Sequence, residues 1–179
     1  MAALRMSLFF GIPLMITLTA CDAPQVRMDD PSAQTYLRLL MPAKLEIQHF
    51  TRPVSLHGDG KADGLEVMVA TLDSFGDQIK SVGAFNIELY QERKASADRF
   101  GKRVAFWTVK IDSEQILKEN WDGLARVYVF RLKLPLESLP AERYVLTTQL
   151  NLPGDVRLFD EHEFDYAGGV APNVTPQSR

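Results

Sequence analysis

Ten consecutive residues, His57-Gly58-Asp59-Gly60-Lys61-Ala62-Asp63-Gly64-Leu65-Glu66, form the sharpest set of candidate ligands in the chain. Asp59, Asp63 and Glu66, spaced by glycines that let a loop bend tightly, offer the hard oxygen donors that calcium prefers. The same composition suits a polar turn whose aspartates bond nearby backbone N–H groups and whose glycines take positive φ. A twelve-residue calcium loop starting at Asp59 would put Lys61 where a third ligand belongs and Ala70 where the closing glutamate belongs. Calcium is the one cofactor these residues suggest, and its ligand set is incomplete.

Two charge clusters follow. Asp160-Glu161-His162-Glu163-Phe164-Asp165 alternates on a strand, so Asp160 and His162 face one way and Glu161, Glu163 and Asp165 the other. That splits any metal set and reads as an edge strand guarded by charge. The connection Gln91 to Arg103 carries Arg93, Lys94, Arg99, Lys102 and Arg103 against Glu92 and Asp98. A basic loop this long suits anionic headgroups, an acidic glycan or an acidic envelope protein, and is otherwise a solvated connection. Trp107 shares a face with Val109 and Ile111 and reads as core, whereas Trp121, among Asn120, Asp122 and Gly123, reads as an exposed sugar-stacking candidate. No Gly-x-Ser-x-Gly elbow occurs. A hydrolase would have to rest on His57 or His162 with nearby carboxylates, so the chain is read as non-enzymatic.

The N-terminus sets the address. Arg5 precedes an apolar run from Met6 to Ala20, interrupted by Gly11 and Pro13. A spanning helix needs about 20 apolar residues, so this run reads as a cleaved signal peptide over 1–20. Its end, Leu18-Thr19-Ala20-Cys21, resembles the lipobox of bacterial lipoproteins. The resemblance implies that Cys21 carries diacylglycerol, that cleavage occurs before it, and that acyl chains such as palmitate hold the protein on a membrane with its domain outside the cytoplasm. One acyl chain binds only marginally, while two or three on one residue anchor stably. Cys21 is the only cysteine, so no thiol remains for a disulfide. In enteric-type bacteria the resemblance further implies that Asp22 retains the protein on the inner membrane.

Cleavage removes Arg5 and no acid, leaving 19 basic against 23 acidic side chains, a mildly acidic balance that argues against nucleic-acid binding. Residues 21–33, with Pro24 and Pro31, read as anchor and linker. Residues 34–166 read as one domain, and 167–179, with Gly168, Gly169, Pro172 and Pro176, as a disordered tail.

Within the domain, strict alternation marks strands at Leu45/Ile47, Leu65/Val67/Val69, Phe85/Ile87/Leu89, Ala105/Trp107/Val109/Ile111, Tyr128/Phe130/Leu132/Leu134 and Tyr144/Leu146/Thr148/Leu150, with a weaker run through Val156, Leu158 and Phe164. Asp112 with Gln115 has capping-box spacing and predicts a short helix over 113–120. About seven strands without crossover helices predict an all-β antiparallel sandwich. Leu139-Pro140-Ala141-Glu142-Arg143-Tyr144 resembles the tyrosine corner of immunoglobulin-like domains, in which the phenol bonds backbone a few residues upstream. Asp73-x-x-Gly76 ahead of Gly83-x-Phe85-x-Ile87 is similar to transthyretin-like and carboxypeptidase-regulatory sandwiches. The expected function is a membrane-anchored binding or scaffolding sandwich with an envelope protein or glycan as partner; the alternative is a calcium- or carbohydrate-binding module.

Overall fold

The computed structural model describes residues 29–94 and 98–174. The signal region 1–20, Cys21, Asp22 and the linker up to Met28 lie outside the described residues, as do 95–97 and 175–179. The chain forms two antiparallel sheets. The first contains β1 (Lys44–Ile47), β3 (Gly64–Leu72), β8 (Val127–Lys133) and β7 (Trp121–Asp122) in that order, with β2 (Arg52–Val54) and β4 (Gln78–Ile79) also paired to β3. The second runs β10 (Arg157–Asp165), β9 (Arg143–Asn151), β5 (Gly83–Glu92), β6 (Phe100–Ile111). Taking β1, β3 and β8 as strands A, B and E, and β6, β5, β9 and β10 as C′, C, F and G, gives the immunoglobulin-type order. The all-β sandwich is therefore present, and all seven strands marked by alternation form. Three additional strands are two or three residues long, too short to show a period.

Alternation places one face of each strand inside. Leu65, Val67, Val69, Phe85, Ile87, Leu89, Leu146 and Leu150 are fully buried in one core. Phe85 packs on Tyr128 and Phe130 at ring-centroid distances of 5.1 and 5.0 Å, and Trp121 meets Tyr128 edge-on at 5.1 Å. The buried Tyr128 hydroxyl donates to Ser81 O (2.6 Å) and accepts from Ser81 N (2.7 Å), pinning the crossing from β4 to β5. Burial pushes that phenol up. Val129, on the face opposite Phe130, is also buried, in a second small cluster with Ala70 and Val127.

The sheets are closed differently at their two sides. On one, the Asp160 carboxylate accepts from Ile47 N of β1 at 2.7 Å, joining β10 to the other sheet. On the other, α2 (Glu114–Asn120) packs against β6, β7 and β8, with Ile116 and Leu117 against the core. The helix forms as expected, but its cap lies one residue later than the capping-box reading: Ser113 Oγ accepts from Ile116 N at 3.4 Å, while Gln115 bonds Glu119. Trp107, expected in the core, is half-buried at this side, where its indole N–H donates to Lys133 O at 2.8 Å.

Two boundaries differ from the sequence reading. α1 (Pro31–Leu40) begins inside the expected linker, capped by Asp30, whose carboxylate accepts from Ser32 N at 2.8 Å, with Pro31 at its first position. Proline there loses no hydrogen bond and its φ is already helical. The tail does not trail free over 167–174: Ser55 N donates to Pro172 O (2.9 Å), Ala171 N to Gly60 O (2.8 Å), and Asn173 makes a parallel bridge with Ser55. Ala171 is buried there, which gives this stretch an apolar reason to stay.

Candidate functional site

The strand order gathers four segments at the pole away from the start of β1: the β2–β3 loop, the β5–β6 hairpin loop, the β8–β9 connection and the tail. The β2–β3 loop contains the residues flagged for metal chemistry. Gly58 and Gly60 take φ of 76° and 77°, as a tight polar loop requires. Asp59 accepts from Lys61 N (3.0 Å) and Ser55 Oγ (3.2 Å), and the first of these bonds leads in holding its carboxyl below the usual carboxylate range. Asp63 accepts from Leu56 N at 2.7 Å and from the His57 ring at Nδ1. Burial pushes the Asp63 carboxyl up, but the His57 and Leu56 bonds together outweigh it and leave the group below its ordinary value.

Glu66 is parted from both. It stands on β3 in a cross-strand row with Arg52 and Arg131, bonded to the first at 3.2 Å and to the second at 3.1 Å. Asp63 stands in the loop before β3, turned to Leu56 N and His57, whereas Glu66 is held on the strand by the two arginines. Asp59, Asp63 and Glu66 therefore do not assemble as a calcium set. Among the described residues no three His, Cys, Asp or Glu side chains gather as a metal would need. The glycine at 64 is also structural, since a Cβ there would sit 2.5 Å from Leu56.

The loop instead walls an open cleft of about 490 Å³. His57, Asp59, Lys61 and Asp63 line one side; Lys133, Leu134, Pro135, Leu136 and Glu137 line the other. The two walls are tied by Leu134 N to Asp63 O (2.9 Å) and Leu139 N to Ala62 O (2.8 Å). Beneath them the expected tyrosine corner is present: Tyr144 OH donates to Pro140 O at 2.9 Å. Burial, with the charges of Glu142 and Tyr166, raises its phenol to about 12. Because Asp63 engages Nδ1 of an exposed imidazole, the other ring nitrogen of His57 remains for a partner in the cleft. The cleft thus offers one oriented imidazole, two lysines, three carboxylates, of which Asp59 and Asp63 already bond the loop, and an apolar rim.

The two charge clusters meet through Arg99. The basic connection is shorter than it looked, because β5 runs to Glu92 and β6 starts at Phe100, placing Lys102 and Arg103 on a strand. Arg99 reaches across to Glu161 and Glu163 on β10, and these carboxylates, Glu161 first, push its guanidinium further up. Arg103 lies 3.4 Å from Glu88; Arg143 contacts Asp165 at 2.7 Å and Glu92 at 3.3 Å. A register shift bends the β5–β6 ribbon, and Gly101 permits it, since a Cβ would meet Gln91 O at 2.6 Å. Arg93, Lys94 and Lys102 are exposed and remain candidates for partner contact.

His162 faces inward on β10. Burial lowers its imidazole, with nearby His49 acting the same way against the raising influence of Asp160 and Glu163. Trp121 is half-buried: Tyr128 takes its edge contact and Lys80 Nζ stands 5.5 Å over its ring, which removes it as an open sugar platform. Alternation could not have found the Arg99 and Glu66 partnerships, which join residues on different strands. The helix α1 did have a readable signal, Asp30-Pro31 followed by Ala33, Tyr36, Leu37 and Leu40 at helical spacing. Comparison with protein-family models, with curated proteins and with solved structures finds no match for this chain.

Proposed function

We propose that the chain is a lipid-anchored envelope protein, tethered outside the cytoplasm through Cys21, whose sandwich binds or scaffolds another envelope component without turning it over. The observation that carries the reading is the ordered series Arg5, the apolar run to Ala20, and Leu18-Thr19-Ala20-Cys21 ahead of the domain. The cleft at the far pole supports a binding role. Its mixed charges and the rim of Leu134, Pro135 and Leu136 suit a polypeptide or polar glycan surface better than a single small anion. His57, Lys61, Lys133 and Glu137 are the residues assigned to that contact, and Arg93, Lys94 and Lys102, exposed around the β5–β6 hairpin, are the second candidate surface.

Mass spectrometry of the N-terminal peptide tests the anchor: diacylglyceryl on Cys21 is expected, and its absence refutes the reading. Membrane fractionation of wild type and Asp22→Ser tests the inner-membrane assignment, which wild type already in an outer membrane would refute. Photocrosslinking in cells from Leu136 and from Thr108, on β6, tests the cleft. A discrete adduct from Leu136 alone is expected; equal labelling from both positions refutes the assigned surface.

A further inference from the structure

The pole at which β1 begins has a different character. Three tight turns end there; two hold an apolar side chain at the tip, and the third exposes one at its base. In Asp73–Asp77 the Asp73 carboxylate accepts from Phe75 N (2.9 Å) and Asp77 N (3.0 Å), leaving Phe75 72 % exposed. In Asp122–Arg126 the Asp122 carboxylate accepts from Leu124 N (2.8 Å) and Ala125 N (2.9 Å), leaving Leu124 96 % exposed. The β9–β10 turn, with Gly154 and Asp155 at φ of 79° and 62°, exposes Val156. Val82 is exposed just before β5.

These tips belong to one surface. Arg126 Nη2 donates to Gln78 O at 2.6 Å, joining the second turn to the strand that follows the first. Gly83, next to Val82, lies so close to Asn151 that a Cβ would meet its carbonyl at 2.4 Å. Ala43 N donates to Leu72 O at 2.7 Å, which brings the end of α1 beside the first turn. Tyr36, Leu37, Leu39 and Leu40 of α1 are all exposed and no residue of the helix is buried. Single exposed apolar residues are ordinary, whereas several gathered on one surface mark a site of protein or membrane contact.

We infer that this pole is a membrane-docking surface, on which Phe75, Val82, Leu124 and Val156, together with the apolar face of α1, enter the interface of the bilayer that holds the lipid of Cys21. The inference rests on the lipoprotein reading, because the length of chain names the occupant. Cys21 precedes Asp29 by eight residues, a reach of about 30 Å at most, and Asp29 leads directly into α1, whose C-terminal end is the part tied to this pole through Ala43. A tether that short keeps the apolar tips at a high effective concentration near the lipid surface. Charges between the tips are mixed, with Lys80, Lys110 and Arg157 against Asp77, Asp112 and Asp155, so apolar contact carries the docking and anionic lipid is not required. Docking would turn the His57 cleft away from the membrane.

The full-length chain, lipidated in a bacterial host, tests this in vesicles of phosphatidylethanolamine and phosphatidylglycerol. A polarity-sensitive dye is placed at Leu124→Cys, at Val82→Cys or, at the far pole, at Val170→Cys. Mass spectrometry first confirms lipid on Cys21. Blue-shifted emission and loss of most intensity to a lipid-borne quencher are expected at 124 and 82, with an aqueous, unquenched spectrum at 170. Lipidated protein whose labels at 124 and 82 stay in water overturns the docking and leaves the anchor standing; Cys21 without lipid overturns both. Energy transfer between labelled copies without lipid quenching also overturns it, in favour of self-association.

Discussion

The two poles of the sandwich are built with the same turn chemistry and put it to opposite ends. Asp59 and Asp63 at one pole, and Asp73 and Asp122 at the other, all accept backbone N–H groups within a few residues. At the far pole the tail, the tyrosine corner and the β8–β9 connection pack over the loop, and the surface left is a cleft of mixed charge with an apolar rim, beside which Val170 is also exposed. At the N-terminal pole nothing described packs over the turns, and the same aspartates hold apolar side chains out into solvent. A cluster of carboxylates in a glycine-rich loop is first a set of turn formers, and ligand chemistry has to be argued from what is left after the backbone is satisfied.

The largest effect is expected between the poles. Phe130→Ala removes a buried ring from the stack with Phe85 and Tyr128 and should cost about 3–5 kcal/mol in chemical denaturation. Single-tryptophan variants should then report one coincident transition from Trp121 and from Trp107. Separate midpoints would mean that the poles unfold independently and the comparison concerns two units. Lys133→Ala, exposed on the same strand, should stay within about 0.5 kcal/mol.

Asp63→Ala sharpens the contrast at the far pole. It strips the acceptor from Leu56 N and the ring contact from His57, and should cost about 1–3 kcal/mol. Millimolar calcium should leave the melting temperature of wild type unchanged. A rise with calcium that Asp63→Ala abolishes would return the loop to metal binding. Tyr144→Phe should cost about 1 kcal/mol by freeing Pro140 O, measured by the same denaturation.

The seam between β1 and β10 carries the part of the pH response nearest neutrality. His162 is held below its ordinary value by burial, so the unfolded chain takes up a proton that the folded one declines. Stability from this group is complete above about pH 6.5 and falls as the pH drops further. His162→Leu should flatten that slope in thermal melts between neutral and mildly acid pH; an unchanged slope would remove His162 as its source. Smallest is Leu124→Ser, expected within about 0.5 kcal/mol of wild type because the side chain is solvated in the isolated domain. A larger loss would mean that the turn tips stabilise the fold itself.

Much of the fold was legible because its signals are local. Alternation found β1, β3, β5, β6, β8, β9 and β10; Pro140 to Tyr144 announced the corner; the residues before Glu114 announced α2. The candidate site was legible as a segment that suits either an incomplete calcium set or a polar turn, and which of the two it is depends on the partners of Asp59, Asp63 and Glu66. The helix α1 falls where Pro24 and Pro31 read as linker, because Pro31 stands at the first helical position after an aspartate cap, where proline costs no hydrogen bond.

By itself the sequence determined the alternation that makes two half-buried sheets, the turns at Asp73 and Pro153, the glycines that only positive φ explains, and the single cysteine that leaves no disulfide. These depend on neighbours a few residues apart, whose geometry the backbone sets. Only the tertiary structure decided that Glu66 is a clasp between Arg52 and Arg131, that Arg99 spends its charge on Glu161 and Glu163, and that the tail closes the His57 loop. It alone also collected Phe75, Val82, Leu124 and Val156 at one pole. Those outcomes follow from which strands pair and in what register, and pairing brings together charges and apolar tips from strands and turns far apart along the chain, beyond the range of any local pattern.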